Sequence, residues 1–435
     1  MKKIINSILI GTAILGLSSC SLHDDTELFG TPAAERLEET VAADKALLES
    51  ASNGWELHLW TGEDYSGGGY TYFMKFANDK VTVSSDIATA DMKTTSSYDV
   101  ISDQGPVLTV NTYNEIFHYL AQPSIVDDDG EQQDFEFVIM RTTNDSIYLR
   151  GKKWGNHMVM TRVAESTSWE DEITKIQQMD EDLMRTFSLV DGNDTLGTVS
   201  LSDDRMLTFT NKDGNKDIPY YVSTTGITLA KPIEVDNKSL QTLNYDTDEM
   251  SFTSNEATAQ GLKLSVLIPE NYMKYKEFAG KYNMTTYWGA STRVLTLEPA
   301  GDGKTYLLKG MNDNYDLTLT YDKANGTLSL NTQYLCDYNG YQLWLCGWNA
   351  FGEGYFTWST SAGMVLSRDI SQEGTVLQFE PNDYTGLTTD SFYLYLFSGT
   401  PSSSTRVGSA KGISSLYIRP GDYRLVGPET MTKIN

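Results

Sequence analysis

The sequence predicts a mainly β protein, built as antiparallel sandwich or barrel-like domains with an N-terminal helix and a middle helix. Three observations lead there. From Trp55 onward, short apolar stretches follow one another with Gly, Asn and Asp between them. Helix-start chemistry marks two places above all, Thr31-Pro32 and Ser168. Asn339-Gly340 stands between two apolar runs, the strongest short signal for a two-residue hairpin turn.

In chain order, Thr31 caps a first helix with Pro32 at its first position, and Leu37, Val41 and Leu48 share one face. Asn53-Gly54 stops it. Strand candidates follow at Trp55–Trp60, Tyr70–Phe76, Lys80–Ser84, Val107–Asn111, Phe135–Arg141, Ser146–Arg150 and His157–Arg162. The spacing of Ser168 and Asp171 resembles a capping box and opens the middle helix, with Ile173, Ile176, Leu183 and Phe187 on its apolar side. Strands resume through 196–267, and Pro269 opens a short helical patch ending at Gly280. A last β-rich stretch includes Val294–Glu298, Tyr306–Lys309, Leu317–Tyr321, Thr327–Leu330, Tyr341–Leu345, Thr375–Phe379 and Phe392–Phe397. No solenoid or propeller period is present. These elements divide the chain into 1–19, 20–31, 32–165, 166–268 and 269–435: leader, tether, helix plus β domain, helix plus β-rich middle segment, and C-terminal β domain.

The leader sets the expected address. Lys2 and Lys3 precede a largely apolar stretch from Ile4 to Leu17, the order of a secretory signal peptide. Leu17-Ser18-Ser19-Cys20 then resembles the lipobox of bacterial lipoproteins, in which the cysteine is acylated and becomes the first residue. The apolar stretch falls short of the about 20 residues that span a bilayer, so the expectation is a soluble body held to a membrane through lipid on Cys20. Asp24, Asp25 and Glu27 behind it resemble the signal that sends such proteins to the outer face of the outer membrane. A solvated tether facing the periplasm is the alternative.

Charge and chemistry narrow the classes. A formal net charge of −26 argues against nucleic acid, whose phosphates need a basic patch. Pairing Tyr338 with Tyr341 across the hairpin puts Cys336 opposite Leu343 and Cys346 on the other face, so the two are expected as unbridged thiols. His23, His58, His118 and His157 lack metalloprotease spacing, and Asp127-Asp128-Asp129-Gly130 lacks the alternating ligands of a calcium loop. No Gly-x-Ser-x-Gly or Ser-x-x-Lys motif occurs. No catalytic residue, metal or cofactor is therefore assigned, although paired carboxylates of a glycosidase carry no sequence signature.

The aromatic signal is stronger. Tyr334, Tyr338, Tyr341, Trp344, Trp348, Phe351, Tyr355, Phe356 and Trp358 crowd one hairpin and the glycine-rich loop after it. Flat rings with polar tips suit sugars or partner surfaces, whereas most aromatics in a β protein are core. Trp348, Tyr355, Trp358 and Tyr338 are the candidate ligand contacts. Trp60, Tyr65 and Tyr70 around Gly67-Gly68-Gly69 form a weaker group.

Glu35-Arg36-Leu37, Asn53-Gly54-Trp55, Gly68-Gly69-Tyr70, Lys75-Phe76, Phe135-Glu136-Phe137 and Gly151-Lys152-Lys153 follow the lipobox in that order. Together they resemble a family of Bacteroidota lipoproteins known only as a domain of unknown function. The resemblance implies coverage of nearly the whole chain and an origin beside starch-utilisation-type uptake systems, with a TonB-dependent transporter as partner. It brings no catalytic residues. The expected role is a non-catalytic surface lipoprotein that binds glycan or another nutrient, with a structural or protein-docking component and an unrecognised hydrolase as alternatives. Cys20→Ala should shift the protein out of the membrane fraction or leave it unprocessed; fatty-acid labelling that persists in the variant would exclude the lipobox.

Overall fold

The structure is a computed structural model and describes residues 32–123, 128–286 and 293–434. Cys20, the acidic tether, Thr31 and Asp127 lie outside the described residues. Two compact units are present. The first comprises the described residues through Leu183 with 191–197 and 201–263; the second comprises 184–190, 198–200 and the chain from Leu264 on.

The first unit opens with α1 (Ala33–Glu49) and a closed antiparallel barrel of eight strands. These are β1 (Trp55–Trp60), β2 (Gly69–Ala77), β3 (Lys80–Ser85), β4 (Thr94–Ser102), β5 (Pro106–Val110), β6 (Glu136–Thr142), β7 (Ser146–Gly151) and β8 (His157–Arg162). β1 closes it by pairing with both β2 and β8, with Leu57 opposite Tyr72 on one side and Met160 on the other. Side chains alternate across β1: Trp55, Leu57 and Leu59 enter the core while Glu56 and His58 face outward. α1 contributes Leu48 to that core, and the Trp55 indole N–H donates to the Leu48 carbonyl at 2.9 Å. Between α1 and β1 the chain turns at Gly54, whose φ of 78° suits glycine and where a Cβ would lie 2.5 Å from the Met74 carbonyl oxygen.

The second helix, α2 (Trp169–Asp182), is capped as its sequence predicts: Ser168 Oγ accepts from the Asp171 amide at 3.2 Å. Trp169 lies against Phe73 on the outside of the barrel, ring centroids 5.7 Å apart. The helix is shorter than its apolar spacing suggests. Leu183 is already extended (ψ 132°), and Phe187, expected on the helix, belongs to β9 (Thr186–Asp191). Phe187 and Leu189 are buried at strand spacing, and that alternation overrides the fortuitous continuation of the helical stripe. The patch after Pro269 likewise reduces to one 3-10 turn, Tyr275–Phe278.

A second closed barrel of eight strands joins β9 to β10 (Asp194–Leu201), β11 (Met206–Asn211), β12 (Gly214–Ser223), β13 (Gly226–Val235), β14 (Lys238–Asp246), β15 (Ser251–Thr253) and β16 (Leu262–Val266). The third lies in the second unit. Its strands are β17 (Gly280–Thr286), β18 (Arg293–Pro299), β19 (Thr305–Asn312), β20 (Tyr315–Asp322) and β21 (Thr327–Asn331), joined later by three more. Before they arrive, the chain makes an excursion into β22 (Gln333–Tyr338), β23 (Tyr341–Trp348) and β24 (Phe356–Thr357). β25 (Gly363–Arg368) and β26 (Val376–Pro381) return to the barrel. A second excursion supplies β27 (Ser391–Phe397), β28 (Arg406–Ser409) and β29 (Arg424–Val426), and β30 (Pro428–Lys433) closes the barrel against β17 and β26. The excursions assemble into a separate sheet, β22-β23-β27-β28, with β24 on β23 and β29 on β27.

One buried ionic node organises the first unit. Arg205, only 7% exposed, donates to Asp86 Oδ2 at 2.6 Å and to the Gly69 carbonyl at 3.0 Å, and reaches Asp180 of α2 at 3.3 Å. Its guanidinium lies 4.8 Å from the Tyr70 ring centroid. Asp86 is fully buried and accepts the Thr71 amide through its other oxygen. The node therefore links β2, α2 and the turn between β10 and β11. Removing one partner strands a buried charge, so Arg205→Ala should cost about 3–5 kcal/mol, while the double variant Arg205→Met, Asp86→Leu should recover much of the loss. Urea denaturation of the three proteins measures this, and a loss below about 1 kcal/mol for Arg205→Ala would remove the node's structural role.

Candidate functional site

The hairpin of β22 and β23 adopts the register its sequence predicts. Asn339 and Gly340 both have positive φ (49° and 82°), Tyr338 pairs with Tyr341, and Cys336 lies opposite Leu343. Both thiols are free, and burial pushes the Cys346 thiol up to about 12, which makes it a poor nucleophile at neutral pH. Alternation divides the sheet into two faces. Leu343 and Leu345 pair with Leu396 and Leu394 and enter the core shared with the third barrel. Trp344, Cys346 and Trp348 take the opposite face, beside Tyr395 and Tyr393.

The loop after β23 is held open by hydrogen bonds. Asp390 accepts the Ala350 amide at 2.7 Å and the Phe351 amide at 3.1 Å. Asn349 exchanges backbone hydrogen bonds with Tyr355 and Gly354, and the Trp348 indole N–H donates to the Gly354 carbonyl at 3.2 Å. Asn349 Oδ1 is buried without a hydrogen-bond partner among the described residues. This frame returns the chain as β24, where Phe356 pairs with Trp348.

The result is a continuous file of rings. Trp358 lies 6.0 Å from Phe356, Phe356 stacks on Tyr395 at 5.1 Å and lies 5.6 Å from Tyr393, and Trp348 also contacts Tyr393 at 5.6 Å. From Tyr393 the file runs to Tyr423 at 5.5 Å and on to Tyr417 at 6.2 Å. Arg406 covers one end, 5.4 Å from Trp358. Tyr417 lines a cleft of about 580 Å³ with Arg293, Asn312, Asn314, Ser415 and Arg419. The rings along this file are half-buried. The chemistry on offer is apolar stacking along the file, with the Arg293 and Arg419 guanidinium groups at its end, where the Asn312 and Asn314 amides already donate to the Ser415 and Tyr417 carbonyls.

Of the sequence-predicted contacts, Trp348 and Trp358 belong to this file. Tyr355 projects from the loop, 65% exposed. Tyr338 lies at the turn end of the hairpin, half-buried against the core. Tyr393, Tyr395, Tyr417, Tyr423 and Arg406 were not singled out by the sequence. The run Phe392-Tyr393-Leu394-Tyr395-Leu396-Phe397 carried the signal for two of them, since strict alternation puts both tyrosines on one face. In the first unit, Trp60 is nearly buried, Tyr65 lies 6.2 Å from it, and Tyr70 packs under Arg205. Asp129 is ion-paired with Lys153 at 2.7 Å, and among the described residues no three His, Cys, Asp or Glu side chains converge to hold a metal.

Residues 25–247 match the family model described as Domain of unknown function (DUF4302), and residues 255–395 match a second, DUF4987, also described as a domain of unknown function. No curated protein and no solved structure matches the chain.

The half-burial of the ring file sets graded costs. Trp55→Ala, in a fully buried site, should destabilise by about 3–5 kcal/mol. Trp348→Ala should cost about 1–2 kcal/mol, and exposed Tyr355→Ala at most about 0.5 kcal/mol. Thermal and urea melts check the order; a Trp348 loss equal to that of Trp55 would assign its ring to the core alone.

Proposed function

We propose, from the premise that the chain belongs to the DUF4302 family of unknown function, that it is a non-catalytic binding component of an outer-membrane glycan uptake system. In this reading it is held by lipid on Cys20 at the cell exterior and serves beside a TonB-dependent transporter. The observation that carries the binding role is the ring file from Trp358 to Tyr417, ending in an amide- and arginine-lined cleft. A row of rings offers successive sugars an apolar face, while cleft side chains satisfy hydroxyl groups.

A protein partner is the second reading, favoured by Phe351 and Tyr355, which stand 50% and 65% exposed on the same loop. The two readings separate on glycan arrays. Retention of a polysaccharide that survives moderate salt and is weakened about tenfold by Trp358→Ala, with an unchanged fold, supports sugar binding. An array blank for the wild-type protein transfers the reading to a protein partner. Protease added to intact cells should digest the body; protection until the outer membrane is opened would put it in the periplasm.

A further inference from the structure

The outer wall of the first barrel carries a second concave site, and it is independent of the ring file. β1 and β8 pair side by side, and their outward residues alternate with core residues. Over β1, β7 and β8 lies a cavity of about 320 Å³, lined by His58, Trp60, Tyr148, His157, Met158 and Tyr221 among others. Its size is at the lower end of small-molecule pockets, enough for one ring-sized ligand.

The walls are unusually flat. Tyr221, from β12, lies on the His58 imidazole with centroids 3.8 Å apart and planes within 8°. Trp60 meets Tyr221 at 5.6 Å. Gly69 makes this approach feasible: a Cβ there would lie 2.5 Å from the Trp60 ring and 3.0 Å from Tyr221 Cβ. The Tyr148 ring, on β7, is backed by Arg141 at 3.9 Å. Tyr65 fixes the rim by hydrogen bonding through its hydroxyl to the His157 backbone, at 2.9 Å from the amide.

Charge decides the ligand class. No lysine, arginine, aspartate or glutamate lines the cavity. Burial pushes the His58 imidazole down to about 4, so it is neutral at physiological pH. Its Nδ1 is engaged with Thr71 Oγ1 at 3.2 Å, while Nε2 lies 3.8 Å from the Glu56 carboxylate, too far for a hydrogen bond, and remains open to a hydroxyl. A charged ligand would lose hydration here, and the nearest charges, Glu56 beside His58 and Arg141 behind Tyr148, stand outside the lining. The stacked pair of Tyr221 and His58, with Trp60 and Tyr148 beside it and one ring nitrogen at its edge, fits a saturated ring that is apolar on one face and hydroxylated at its rim.

We infer that this cavity binds a single neutral pyranose. A simple test uses methyl glycosides of glucose, galactose, mannose and N-acetylglucosamine, with methyl glucuronide and indole as the contrasting charged and flat aromatic probes. Saturation-transfer NMR on the full chain reads each. At least one neutral glycoside should bind, and Tyr148→Ala and His157→Ala, both on the outer wall rather than in the core, should each weaken it about tenfold or less. Trp358→Ala, in the other unit, should leave this signal unchanged, which separates the site from the ring file whatever becomes of that reading. Should Tyr148→Ala lose its fold by circular dichroism, His157→Ala alone carries the comparison. Four results would overturn the assignment: silence from every neutral glycoside, equal binding of the glucuronide, binding of indole alone, or a signal indifferent to both wall variants.

Discussion

An antiparallel sheet that closes on itself has no edge strand, and at eight strands its interior is just wide enough for side chains to fill. Among the described residues that constraint is met three times. Trp55, Tyr72, Phe76 and Phe137 occupy the first barrel, and Tyr282, Tyr306 and Leu317 the third, all fully buried. Interiors packed in this way leave the outer walls and the added sheet as the places where a ligand can meet the protein. Both concave sites obey that rule. One lies against the outside of β1, β7 and β8, the other beside β18 and β19 of the third barrel, against the loop between β28 and β29.

The same alternation explains what the sequence disclosed. Strands such as β1, β3, β7 and β8 read cleanly because each places branched or aromatic residues at every second position. β4 was missed: its Thr94-Thr95-Ser96-Ser97 start resembles a loop until Tyr98 and Val100 turn inward. β25, β28 and β30 carry glycine, serine or proline, so they lacked contrast with their surroundings. Barrel and sandwich could not be separated from sequence, because the difference lies in pairings such as β1 with β8 and β17 with β30, between strands far apart in the chain. At the candidate site the hairpin register was legible from Asn339-Gly340 alone. The contact of Tyr221 with His58, and the clamp of Asp390 on the Trp348 loop, depend on tertiary approach and leave no local mark.

Among the described residues, the buried ionic node has a directional role. Arg205, Asp86 and Asp180 join β2, α2 and the turn between β10 and β11. Directional bonds to a planar guanidinium hold them together. The neighbouring glycines contribute by absence: Gly69 leaves room for Trp60 and Tyr221, so the strand that receives Arg205 through its carbonyl also shapes the wall of the first-unit cavity.

The way the first excursion leaves its barrel has a consequence for how such a protein diversifies. Asn331 pairs directly with Gly363, and the Thr332 amide donates to the Ala362 carbonyl, so everything between departs and returns through one narrow neck. β21 and β25 would remain partners across that neck with a two-residue turn in place of the whole aromatic hairpin. Sequence change on the ring-bearing face of the hairpin is therefore uncoupled from the barrel's register, while Leu343 and Leu345 stay tied to the shared core. Ring spacing, loop length and the charge beside Trp358 can drift under selection for a new ligand while the scaffold's pairing stays fixed.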